Sequence, residues 1–187
     1  MKSPFPHGKK YCQHDEEGIL ITLFDMLPEG NKRLCDIGAR LAYSNSFRLI
    51  EEYDWSGVLL DMNPLAVDEL NARLEALRKP NMAVCDKVTP ENVNEYAKDC
   101  DFLSIDIDSN DFWVWAAVKA VPRVVCIEFN ANVDGKWVMP YDVNRTRRIG
   151  EDNEGASLDA MIVLGELKGY HLVATSGINA IFLHGSV

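Results

Sequence analysis

A chain of 187 residues, 47% of them hydrophobic, carries enough apolar side chain for one full core, which excludes a disordered or fibrous polypeptide. Its net charge of −10 excludes a general binder of nucleic acid or anionic membrane, since both need clustered Lys and Arg. No apolar run nears the roughly 20 residues of a membrane span, the first residues lack the apolar segment of a secretory signal, and five cysteines without a CxxC pair fit the reduced thiols of a cytoplasmic protein.

The chain reads as a single domain over residues 1–187. Residues 1–15 form an irregular arm with two prolines. From Glu16 to Leu27, the apolar positions Leu20, Leu23, Phe24 and Leu27 recur at helical spacing, and Pro28 and Gly30 stop them. RLCDIG is a short strand ending in Asp36 and Gly38. SNSFRLIEEYDW is a helix that Ser44 or Ser46 can cap. SGVLLD (56–61) is a second strand. The helix after it has Asn63 as cap, Pro64 in the first turn and a stripe of Val67, Leu70, Leu74 and Leu77.

MAVCD (82–86) is a third strand, and TPENVNEYAKD, with a Thr cap and an early Pro, a helix. FLSID (102–106) is the fourth strand, followed by the helix NDFWVWAAVKAV. RVVCIEFN (123–130) is the fifth and most apolar strand. Residues 131–155 are a long polar loop with little periodicity, a length usual only in functional or disordered segments. SLDAMIVLGELKG is a helix capped by Ser157, and YHLVAT and NAIFLHG close the chain as a hairpin around Ser176-Gly177.

Apolar strands alternating with amphipathic helices predict an α/β fold. Its sheet is doubly wound, mostly parallel and seven-stranded, with helices on both faces and a C-terminal antiparallel hairpin. Such sheets bind ligands outside the carboxyl ends of the strands, where strand order reverses. Those ends hold Asp36 and Gly38, Asp61 and Asn63, Asp86, Asp106 and Asp108, and Glu128 and Asn130. One acid at a strand end is usually a cap. Five ends out of five gather carboxylates on one rim.

The segments CDIGARLAYSNSFRLIEEYDWSGVLLDMNP, DFLSIDIDSNDFWVWAAV, PRVVCIEFNANV and GASLDAMIVLGELKGYHLV resemble the class I S-adenosylmethionine-dependent methyltransferases, most of all the FkbM-type proteins. The resemblance runs from about Leu34 to Leu183. It implies a Rossmann-like methyltransferase fold with S-adenosylmethionine as cofactor. Asp36 and Gly38 would lie at its methionine part, where the next helix offers N–H groups. Asp61, followed by Asn63, would lie at the ribose, Asp86 at the adenine and Asp106 at the reacting methyl group. It implies O-methylation of a small-molecule or sugar hydroxyl. One departure stands out. The family's first turn has two or three glycines, but here Gly38 is followed by Ala39, Arg40 and Leu41. Arg40 could pair with the carboxylate of the cofactor or with one on the rim. The alternative is a catalytically inactive or repurposed methyltransferase-like binding domain.

Asp106 and Asp108, with Glu128 and Asn130 on the neighbouring tip, offer oxygen ligands for a hard cation such as Mg2+. The other readings of Asp106 and Asp108 are a catalytic contact to a substrate hydroxyl or a helix cap. His7 and His14 lie in the arm, His171 opens a strand and His184 sits near the end, each read as a surface or packing residue rather than a base, and P-loop and GxSxG motifs are absent. The long loop follows the fifth strand and should cover the rim. It holds Arg145, Arg147 and Arg148 in an acidic chain, which suits a substrate lid whose arginines meet an anionic group. The acceptor and the oligomeric state are not legible here.

Overall fold

The computed structural model describes residues 9–80, 82–145 and 153–187. In chain order the elements are α1 (Glu16–Met26), β1 (Arg33–Ile37), α2 (Phe47–Tyr53), β2 (Ser56–Asp61), α3 (Pro64–Ala76), β3 (Met82–Cys85), α4 (Val93–Tyr96), β4 (Phe102–Ile105), α5 (Asp111–Ala117), β5 (Val124–Glu128), α6 (Leu158–Leu167), β6 (Tyr170–Ser176) and β7 (Asn179–His184).

The strands form one seven-stranded sheet in the order β3-β2-β1-β4-β5-β7-β6. The first five pair in parallel, while β7 runs antiparallel to both β5 and β6. The doubly wound sheet expected from the sequence is thus the one observed. The chain winds outward from β1 to β3, then crosses back to start β4 beside β1. Strand order reverses between β1 and β4, so a crevice opens at their carboxyl ends.

Side chains alternate across the sheet with the period of two that strands impose. Cys35, Ile37, Leu103, Ile105, Val125 and Ile127 pack on one face with Trp115, Met161 and Tyr170. Leu34, Phe102, Val124 and Cys126 pack on the other with Leu20, Phe47 and Leu70. Both faces are covered, which is why the parallel strands read as continuous apolar runs. Trp115 is fully buried against Phe182 and Tyr170. Cys85 is exposed, on the edge strand β3.

Several boundaries differ from the sequence reading. The helix expected over TPENVNEYAKD is one turn, Val93–Tyr96, and Asn92 rather than Thr89 supplies the accepting side chain, taking the Thr89 N–H at 2.7 Å. The helix after β4 ends at Ala117, because Val118 is already extended. The helix α3 ends at Ala76, four residues before Pro80, and Arg78 takes a left-handed φ of 53°. The closing turn is Gly177-Ile178 rather than Ser176-Gly177. Ser176 pairs with Asn179, and Gly177 holds φ of 57° at the first turn position. The expected caps are present at Asn63, which accepts from Leu65 N–H, and at Ser157, which accepts from Ala160 N–H. Among the described residues, no helix is long and apolar enough to cross a membrane.

Candidate active site

The floor of the crevice is main chain. Gly38 leaves β1 with φ of 86°, and a Cβ there would sit 1.7 Å from the carbonyl oxygen of Asp106. Only glycine brings this turn so close to the tip of β4. The N–H groups of Gly38 and Ala39 both donate to Leu60 O, at 2.7 and 2.9 Å, which ties the turn to β2. After a 3-10 turn at Leu41–Tyr43, α2 starts at Phe47, whose N–H donates to Ser44 Oγ at 2.9 Å. Ser44, not Ser46, therefore satisfies the start of α2.

Asp36 stands one pleat below the rim and is buried. Its Oδ2 accepts from the hydroxyls of Ser44 (2.9 Å) and Ser46 (2.6 Å). Burial pushes its carboxyl above the ordinary range, while those serines pull it back. Asp36 anchors the loop into α2 and does not face the crevice.

Asp61 does face it. Its Oδ1 accepts the Asn63 N–H at 2.6 Å, and its Oδ2 takes Arg40 Nε at 3.2 Å. Arg40 has thus paired with a carboxylate of the rim, and its own side chain stays 53% exposed. Asp86 follows β3 on the same wall. It accepts from Tyr96 OH at 2.6 Å, Asn92 Nδ2 at 3.2 Å and Lys87 N–H at 2.8 Å.

At the tip of β4 the carboxylates crowd. One oxygen each from Asp106, Asp108 and Glu128 lies within 4.8 Å of the others. Asp106 donates its N–H to Ile37 O at 2.9 Å, which keeps it beside the Gly38 turn. Asp108 is held at a left-handed φ of 64°. The loop is folded by Asp111, which accepts the N–H groups of Ile107 (2.8 Å) and Ser109 (2.9 Å).

Burial, and then the negative neighbours, raise the proton affinity of Asp106 and Glu128 together. Glu128 also hydrogen-bonds Asp106. Like charges this close cannot all ionise unaided. The group therefore shares a proton or takes up a cation. Asp106, Asp108 and Glu128 are the set that could hold a metal. Asn130 is turned elsewhere: it donates to Glu154 O at 2.8 Å and accepts the Asn132 N–H at 2.9 Å.

The long loop lies over this rim. Asn110 Nδ2 donates to Asp142 O at 2.9 Å, Trp113 Nε1 to Met139 O at 2.8 Å, Tyr141 OH to Glu91 at 3.2 Å, and Lys87 Nζ to Val143 O. Arg145 pairs with Glu154 from the same loop at 3.0 Å and reaches the crevice wall. Arg147 and Arg148 lie outside the described residues. Trp113, half buried, thus anchors the loop, while its neighbour Trp115 belongs to the core.

Together these elements enclose a cavity of about 550 Å³ lined by Gly38, Arg40, Asp61, Asn63, Asp86, Asp106, Asp108 and Arg145, among others. The volume lies in the roughly 300–1,000 Å³ range of small-molecule sites. Of the residues singled out in the sequence, Asp36, Glu128 and Asn130 are not part of that lining. Lys87 and Gln13 line it unforeseen. Lys87 could have been found as the residue next to Asp86, but Gln13 had no signal.

No protein-family model and no curated protein sequence matches this chain. Solved structures do. The N-terminal domain of EvdMO1, crystallised in the presence of S-adenosyl-L-homocysteine and D-fucose, superposes with a TM-score of 0.57 at 12% identity, over 97% of this chain and 88% of that one. The PH0226 protein from Pyrococcus horikoshii OT3 gives 0.52 at 12% identity, over 89% and 87%. NcsB1, an O-methyltransferase from neocarzinostatin biosynthesis, was solved with S-adenosyl-L-homocysteine and 1,4-dihydroxy-2-naphthoic acid. It gives 0.52 at 15% identity, over 82% of this chain and 49% of that one. The chain spans about half the length of NcsB1 and of LaPhzM, 49% and 55%. Likeness at this identity shows the fold, which is the Rossmann-like methyltransferase fold.

Proposed function

We propose that the chain is an S-adenosylmethionine-dependent methyltransferase that transfers a methyl group to a hydroxyl of a small molecule or sugar, as an FkbM-type enzyme would. The observation that carries this reading is convergence. Gly38, Asp61, Asp86 and Asp106, from four separate strand ends, face one nucleoside-sized cavity where strand order reverses.

The residues fit the cofactor. Asp61 is a carboxylate at the end of β2, suited to accept from two ribose hydroxyls. Asp86 stands on the base side. The glycine turn leaves room beside Asp106. When bound, the cofactor supplies an electrophilic methyl group. The protein's part is positioning and proton transfer. Asp106, with its raised proton affinity, is a stronger base than an exposed aspartate and suits removal of a hydroxyl proton. Glu128, bonded to it, fixes its orientation. A divalent cation on Asp106, Asp108 and Glu128 would instead acidify that hydroxyl. The loop after β5, with Arg145, Arg147 and Arg148, suits an anionic acceptor. Five free thiols agree with a reducing, cytoplasmic setting.

One observation favours the other reading, a binding domain without transfer. Arg40 already occupies an oxygen of Asp61, and a ribose must share or displace it. Transfer decides between them. The protein is incubated with methyl-labelled S-adenosylmethionine, with or without Mg2+, and with catechols, hydroxy acids and sugars. Labelled product that falls 100-fold or more with Asp106→Asn, the usual range for losing a general base, supports the enzyme. Cofactor binding without transfer to any acceptor supports the binding domain.

A further inference from the structure

One wall of the cavity comes from outside the strand tips. Gln13, in the arm before α1, lines it together with Gly38 and Asp106. The arm is held by bonds on both sides of that residue. Glu16 and Glu17 open α1 yet are buried, at 0% and 1% exposure. Carboxylates go inside only when bonded, and these two reach back into the arm. Glu17 accepts the N–H groups of Lys10 and Tyr11, the latter at 3.0 Å. Glu16 accepts the His14 N–H at 2.9 Å and the Asn179 amide at 3.3 Å. Asp15 N–H donates to Ser176 Oγ at 2.9 Å. Tyr11 OH donates to Glu51 at 2.8 Å, and its ring meets Phe47 edge-on at 5.1 Å.

These anchors also fix where the arm runs. Tyr11 is held on α2, which follows β1, and Asp15 and Glu16 are held at Ser176 and Asn179, the latter paired with Glu128 at the end of β5. The arm therefore crosses from α2 to the β6–β7 turn, and Gln13 lies on that crossing. Gln13 is exposed between two bonded segments. Among the described residues its carboxamide has no hydrogen-bond partner in the protein.

We propose that the arm is a built wall of the cofactor site and that Gln13 hydrogen-bonds the amino-acid end of the bound cofactor. This rests on the cofactor reading above. A carboxamide matches that end because its oxygen accepts from an ammonium and its NH2 donates to a carboxylate. The other wall, at Asp61, reads the ribose.

The test compares S-adenosylhomocysteine with 5′-methylthioadenosine, which shares the nucleoside but lacks the amino-acid end. Both are titrated by calorimetry into wild type, Gln13→Ala, Gln13→Glu and Asp61→Ala, with melting curves to confirm folding. Gln13→Ala is expected to weaken S-adenosylhomocysteine about tenfold, the worth of one hydrogen bond to a charged group, and to leave 5′-methylthioadenosine unchanged. Gln13→Glu is expected to weaken it as well, by facing the carboxylate with a like charge, whereas Asp61→Ala weakens both ligands. If Gln13→Ala leaves both affinities unchanged, or lowers both equally, the assignment to Gln13 is overturned while the cofactor reading stands. If wild type binds neither ligand, the cofactor reading itself fails.

Discussion

Gly38 shows how much can rest on one hydrogen atom. Its backbone is left-handed, and the space a Cβ would need is filled by Asp106 O at 1.7 Å. Gly38→Ala should destabilise the fold by more than the roughly 1–2 kcal/mol of the backbone conformation alone, read as a lowered midpoint in urea. An unchanged midpoint would mean the turn can move off β4. Glu128 gives a prediction with a sign. Its folded proton affinity is raised by burial and by Asp106, Asp111 and Asp108. A carboxyl raised on folding contributes stability that is complete below its unfolded pKa, near 4.3, and lost as pH climbs towards the folded value. With a chelator present, the melting temperature of wild type should fall between pH 5 and 9, and that of Glu128→Gln should fall less. Parallel slopes would contradict the coupling. The acids at the strand ends were visible in the sequence because each follows an apolar run. Their division of labour was not. Asp36 and Asp61 are both strand-end aspartates, yet serines eight and ten residues on turn Asp36 into an anchor. Nor could spacing show that Arg40 would close on Asp61.

Among the elements, the loop after β5 is the one whose role depends on being held. Asn110 bonds Asp142 in both directions, at 2.9 and 3.4 Å, and Trp113 holds Met139. Asn110→Ala should speed hydrogen exchange of the amides at 141–145 several-fold, at about 1 kcal/mol per lost bond, with little change at the core strands. Equal protection in the variant would mean other contacts hold the loop. The sequence announced this loop by its length and by its place after the last parallel strand. It could not announce the clamps, because Asn110 and Trp113 both read as part of the helix NDFWVWAAVKAV. Short elements depart from their sequence signals for a related reason. The segment TPENVNEYAKD has cap and proline signals, yet folds as a single turn, since the side chain of Asn92 binds the Thr89 N–H and the Lys87 carbonyl. Local side-chain bonds of this kind compete with helix.

On the scale of the whole molecule, alternation of apolar strands with amphipathic helices is enough to predict the doubly wound sheet. The order β3-β2-β1-β4-β5-β7-β6 then places the carboxyl ends of the five parallel strands along one rim. The N-terminal arm escaped this logic because it has no periodicity. Its position follows from two buried glutamates, a feature that sequence pattern assigns to the surface. The central claim is that this rim is a nucleoside-cofactor site with Asp61 at the ribose. A calorimetric titration of S-adenosylhomocysteine into the intact protein tests it most directly. We expect saturable one-to-one binding that Asp61→Ala weakens about 10–100-fold, the worth of hydrogen bonds to a charged acceptor, without loss of folding. Absence of binding by wild type, with and without Mg2+, or binding indifferent to Asp61→Ala, would contradict it.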